Sequence, residues 1–143
     1  METYETEQVA ISDKLVTIVE RLAELDRHID RLVTRVAALD EAGVCTGVAY
    51  WRDRDDSTPK LYANHGVGVS CPLHGEPEDG RRLRVYVGSD PEAQQEALAA
   101  IERRQQKARL EAQMRQLAMQ QDRIEQAVTD AWRAAAGLQR HEW

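Results

Sequence analysis

The side chains best suited to chemistry fall in one stretch of the 143-residue chain: Cys45, His65, Cys71 and His74. Thiolate sulfur and imidazole nitrogen are the donors that zinc prefers, and four of them satisfy its tetrahedral demand. Cys71-Pro72-Leu73-His74 is a C-x2-H pair, but no second pair follows at finger spacing; Cys45 and His65 are single, distant ligands. Three readings stay open: a zinc site, a Cys45 to Cys71 disulfide, and a plain loop with two unrelated thiols. The plain loop, with no cofactor, is the default expectation, since thiols inside a cell stay reduced and unpaired. No Ser, Cys or His arrangement matches a nucleophilic triad, and the carboxylates sit at helix-surface spacing, so no enzyme is expected.

A second group is basic. Arg81, Arg82 and Arg84, with Arg103, Arg104, Lys107 and Arg109 further on, form one cationic surface if the segments that carry them pack together. Arg82, Arg84 and Tyr86 alternate along a strand, which suits phosphate contact and base stacking. The competing reading is a solvated face neutralised by Glu76, Glu78, Asp79 and Glu102.

The elements that must position these groups are legible from periodicity. From Val44 apolar residues alternate: Val44, Thr46, Val48 and Tyr50 against Cys45, Gly47, Ala49 and Trp51, the pattern of a strand. The polar turn from Arg52 to Pro59 leads to a returning strand over 60–64. His65 to Arg81 reads as a long Gly- and Pro-rich loop. A third strand places Leu83, Val85 and Val87 on one face and Arg82, Arg84 and Tyr86 on the other. The expectation is a three-stranded antiparallel sheet over 44–88 with loop 65–81.

Long helices flank this module. Ile11, Leu15, Ile18, Leu22, Leu25, Ile29, Leu32, Val36 and Leu39 recur in alternating steps of four and three, a heptad seam within a helix over 5–42. Thr3, Thr6 or Ser12 can cap its start, and Gly43 suits the left-handed position at its end. Val19 and Val33 at e, with Val9, Val16, Ala23 and Ala37 at b, make the face wider than one partner helix requires. Near Ser89-Asp90-Pro91-Glu92 either Ser89 or Asp90 caps a second helix over 90–138. Its second half repeats the stripe through Leu110, Met114, Leu117, Gln121, Ile124, Val128 and Ala131. Two seams of equal length predict an antiparallel pair with Leu39 level with Leu110 and Gln121 near His28. That leaves 92–109, about 27 Å of helix, as a surface for the sheet, with Leu98 and Ile101 on one side.

The fold expectation is therefore mainly α: two long helices in an antiparallel coiled-coil hairpin, with the small β insertion at one end. Met, Gln and Ala in the second seam make a lone pair marginal, so a homodimer closing a four-helix bundle is expected. Composition agrees. Phe is absent, aromatics are 5% and charged residues 31%, which argues against a large globular core. Net charge is -6, with 5 basic and 10 acidic side chains in 1–43 but near balance beyond, which disfavours wholesale coating of nucleic acid. No apolar run reaches spanning length and the first residues do not read as a signal peptide, so the expected location is the cytoplasm, without membrane contact.

The middle segment carries one resemblance. Tyr50-Trp51-Arg52-Asp53, then Arg82 to Ala93 and Ala97-Leu98, within residues 48–98, resembles the short sheet-then-helix units of bacterial mobile-element proteins, including the arm-type DNA-binding domains of phage integrases. The resemblance implies a sheet presented to a DNA groove, although the loop here is longer and no recombinase domain follows. The functional expectation is a non-enzymatic dimeric adaptor or scaffold that presents the β module to a partner protein. The alternative is a nucleic-acid-binding accessory protein using the sheet face and the basic patch.

Overall fold

The computed structural model describes residues 9–53 and 58–137. The order is α1 (Ile11–Ala42), β1 (Val48–Arg52), β2 (Lys60–Val67), β3 (Arg82–Gly88) and α2 (Pro91–Ala135). Two helices and a three-stranded antiparallel sheet in the order β1-β2-β3 are therefore present, and helix dominates, as composition and periodicity indicate.

The helix boundaries follow capping chemistry. α1 begins at Ile11, so Ser12 lies inside its first turn; Thr3 and Thr6 lie outside the described residues. At its end Gly43, at φ 104°, donates to the Leu39 and Asp40 carbonyls, the left-handed closure that a side chain would strain. At the start of α2, Asp90 Oδ2 accepts from the Ala93 amide at 3.1 Å, so Asp90 is the cap and Pro91 the first helical residue.

Two strand expectations need correction. β1 starts at Val48, not Val44: the Cys45 amide bonds the Ala100 carbonyl at 3.1 Å instead of a neighbouring strand. β2 runs on to Val67, so His65 belongs to a strand and not to the loop.

The chain divides into two compact units. In the one spanning 34–111, the inward faces of β2 and β3 meet α2. Leu61, Ala63 and His65 alternate as the buried side of β2, and Cys45, Ala63, Cys71 and Ala100 form a core against which Leu83, Val85, Val87 and Ile101 pack. Ala100 permits the close approach because it adds only a methyl group. Lys107 bonds Asp40 at 2.8 Å, and Arg103 Nε donates to the Gly43 carbonyl at 2.6 Å.

The other unit comprises 1–33 and 112–143. Leu25 is 1% exposed, whereas Ile11 (75%), Val19 (67%) and Trp132 (60%) face solvent. Leu15 and Ile18 of α1 and Ile124, Val128, Ala131 and Trp132 of α2 line an open apolar groove of about 560 Å³. Gln121 donates to Asp26, two residues before the expected level of His28. Asp40 likewise meets Lys107, two residues before the level that equal seams assign. Equal stripe length leaves such an offset free, because a heptad pattern specifies the facing side and not the axial position.

Candidate metal centre

Each of the four candidate ligands is placed by a separate structural cause. Pairing of β1 with β2, with Val48 opposite Asn64, carries the residues just before β1 alongside His65. His65 falls where the β2–β3 register shifts between Asn64 and Val67, the kind of irregularity that re-aims a side chain. The loop after β2 is folded back on itself: Gly68 donates to the Arg81 carbonyl, and Cys71 and Gly75 exchange two backbone bonds of 2.8 and 2.7 Å. That tight turn brings His74 beside Cys71. Thr46 Oγ1 then ties the Cys45 segment to the Ser70 carbonyl at 2.8 Å.

The result is a compact donor set. One ligand atom from each of Cys45, His65, Cys71 and His74 lies within 4.8 Å of the others. Cys45 Sγ is 3.6 Å from His65 Nε2 and 3.8 Å from His74 Nδ1, and Cys71 Sγ is 3.4 Å from His74 Nδ1. A tetrahedron with Zn–S of about 2.3 Å and Zn–N of about 2.0–2.1 Å has S···N edges of about 3.6 Å. The three observed S···N separations bracket that edge, so the cluster can hold a metal such as zinc.

The surroundings fit the same chemistry. His65 is 2% exposed, and its Nδ1–H donates to the Leu83 carbonyl at 2.9 Å, which turns the Nε2 lone pair towards the sulfurs. Gly47 leaves room for the ring: a Cβ there would stand 3.0 Å from two His65 ring atoms and 3.1 Å from the Asn64 carbonyl oxygen. The Gly47 amide also donates to Cys45 Sγ at 3.4 Å.

Both thiols are free and buried, so no disulfide joins them, and they are not unrelated, since both belong to the one Cys/His cluster. Sequence spacing could not reveal this, since β pairing and a loop turn, not a repeated motif, collect the ligands. The two sulfurs differ in protonation. Burial raises the Cys45 thiol to about 11, opposed by the Gly47 amide and reinforced by the charge of Cys71. Burial also pushes Cys71 upward, but the amides of Thr46, Leu73 and His74 and the His65 ring outweigh it and bring the value to about 6.

The basic candidates do not gather as one free surface. Arg81 pairs with Glu78, Arg103 with Glu96 and the Gly43 carbonyl, Lys107 with Asp40, and Arg109 with Glu102. Arg104 is partly buried on α2. Arg82, Arg84 and Tyr86 lie on the outward face of β3, away from the Cys/His cluster. Tyr50, Arg52, Lys60 and Tyr62 lie on that same face. Tyr50 and Arg52 enter the sequence reading only as part of a strand, a turn and the resemblance, and Lys60 and Tyr62 are not singled out there, although their period-2 spacing in β1 and β2 was the available signal. Among the described residues no helix is long and apolar enough to cross a membrane. Comparison with known proteins finds no matching family model, no matching curated protein and no matching solved structure.

Proposed function

We propose that the chain is a non-enzymatic adaptor whose β module is held together by a structural zinc ion and whose helices self-associate. The observation that supports the zinc reading is the four-donor set within 4.8 Å: two thiolates and two imidazoles would fill a tetrahedron and leave no position for water or substrate. A catalytic zinc keeps such a position open. Zinc here would clamp the segment before β1, the end of β2 and the 71–75 turn, three pieces whose shared core is otherwise small. Metal free energy is folding free energy in sites of this kind.

The adaptor part rests on the apolar groove and on Ile11, Val19 and Trp132, large apolar side chains that one chain leaves exposed. A second copy would cover them by completing an antiparallel four-helix bundle of coiled-coil hairpins. Protein purified without added metal should contain one zinc per chain by elemental analysis, and native mass spectrometry should show a dimer. A metal-free, fully folded protein that gains no stability from added zinc overturns the zinc reading. A monomer at tens of micromolar removes self-association.

A further inference from the structure

The outward face of the sheet is unlike the rest of this acidic chain. Strand pairing sets Tyr50 beside Tyr62 and Tyr62 beside Tyr86, so three phenol rings cross all three strands. Their centroids lie 6.3 and 5.1 Å apart in edge and tilted contacts. Tyr50 and Tyr86 are 54% and 55% exposed, although large aromatics of a small domain would ordinarily serve its core. These three rings, with Arg52, Asn64 and Arg84, line an open cleft of about 490 Å³.

The charge on this face is one-sided. Arg52 stands directly opposite Lys60 across β1 and β2, a like-charge pair that opposes folding. Arg82 and Arg84 add two further cations on β3. Among the described residues, no outward position of the three strands is acidic, and none of these four cations forms an ion pair. Asn64 also holds a buried side-chain oxygen with no hydrogen-bond partner. Unbalanced cations, exposed rings and an orphan acceptor call for a ligand that supplies anions, flat π faces and N–H or O–H donors together.

The geometry points to an unpaired nucleic-acid strand as that ligand, with bases stacked on Tyr50 and Tyr86 and phosphates held by Arg52, Lys60, Arg82 and Arg84. A polyanion without bases would leave the tyrosines unused. A duplex keeps its base faces stacked and offers the rings nothing. Aromatic stacking tolerates any sequence, so the face reads strandedness, not base order. The inference does not depend on the zinc reading, because it uses the opposite side of the sheet.

Fluorescence anisotropy of the full chain tests it, with labelled twelve-residue oligo-dT and oligo-U strands, a twelve-base-pair duplex, and polyglutamate as a base-free anion. The expected result is binding of a single strand with Kd of about 1–100 µM at low salt, and a slope of log K on log salt near -2 to -3, from about 0.7 per neutralised phosphate. Duplex and polyglutamate should bind at least tenfold more weakly. Replacing Tyr50→Ser with Tyr86→Ser should weaken single-strand binding at least tenfold while circular dichroism and metal content stay unchanged. If that variant does not fold, Arg52→Gln with Arg84→Gln serves, and should both weaken binding and flatten the salt slope. Absence of binding to both single strands overturns the inference. Equal binding of polyglutamate, or of the duplex, also overturns it and assigns the face to an acidic protein or to paired DNA.

Discussion

His65 donates from Nδ1 to the Leu83 carbonyl at 2.9 Å, and this one bond between β2 and β3 decides what the opposite ring nitrogen can do. With Nδ1 protonated, Nε2 carries the lone pair and faces Cys45 Sγ at 3.6 Å. An imidazole held in this way is prepared as a ligand and cannot turn to solvent. The sheet ladder and the Cys/His cluster are thus coupled through a single ring.

Removing the metal should loosen the β module and spare the helices. With a chelator present, hydrogen exchange should rise over 44–75 and change little over 112–130, while helical circular dichroism is largely kept. His74→Ala, which deletes a partly exposed ligand, should have the same effect and lower zinc affinity by orders of magnitude. Unchanged exchange over 44–75 after chelation would show that apolar packing alone holds the module.

Gly47→Ala probes the close approach to His65. The new methyl would meet two ring atoms at 3.0 Å and backbone oxygen at 3.1 Å, so the ring must shift from its bond to Leu83. Loss of an orienting partner of this kind lowers metal affinity about 10- to 100-fold. Competition with a chromophoric chelator measures it, and wild-type affinity would mean the ring has room to spare.

Zinc loading should depend on pH with a definite sign. In the metal-free protein Cys71, at about 6, is already a thiolate at pH 7.5, while Cys45, at about 11, retains its proton. Metal binding therefore displaces about one proton, and affinity should rise about tenfold per pH unit between 7 and 8. Below pH 6 Cys71 must lose a proton as well, and the dependence steepens. Calorimetry in buffers of different ionisation enthalpy counts the protons; a value near zero at pH 7.5 would contradict the assignment of Cys45.

Arg103→Met separates packing from charge at the end of α1. Its guanidinium, 20% exposed, donates to the Gly43 carbonyl and pairs with Glu96. Hydrogen bonds from a charged donor contribute about 1.5–3 kcal/mol; the partial exposure of Arg103 and the exposed Glu96 place the expected loss at the lower end, about 1–2 kcal/mol. Urea denaturation checks it, and a change below ~0.5 kcal/mol would mean that water replaces the bond.

Leu25→Asp and Val19→Lys distinguish chain stability from association. Leu25 is buried within one chain, so a carboxylate there should cost about 3–5 kcal/mol and unfold the 1–33 and 112–143 unit at any concentration. Val19 is 67% exposed, so its replacement by Lys should change unfolding by less than about 0.5 kcal/mol yet shift a dimer towards monomer in sedimentation. A Val19→Lys protein as dimeric as wild type would place the interface elsewhere.

Periodicity determined the type and order of the elements, though not every strand boundary. Nine apolar residues at steps of four and three make α1 a helix whatever else the chain does, because only that spacing puts them in one continuous stripe along a helix, of which Leu25 and Leu32 are buried within one chain. Alternation from Leu83 to Val87 likewise assigns the faces of β3, and Gly43, Asp90 and Pro91 mark boundaries through backbone constraints that need no tertiary partner. Local pattern went wrong at Val44–Gly47, where alternation mimics a strand although the Cys45 amide is taken by Ala100. Only the tertiary structure decided that the four candidate ligands converge. The candidate ligands come from a coil, a strand with a register shift and a loop turn, and their convergence depends on strand register and on Ala100 being small. A ligand set specified by long-range pairing has no fixed spacing to read, so Cys45, His65, Cys71 and His74 become a site only when the sheet closes on α2.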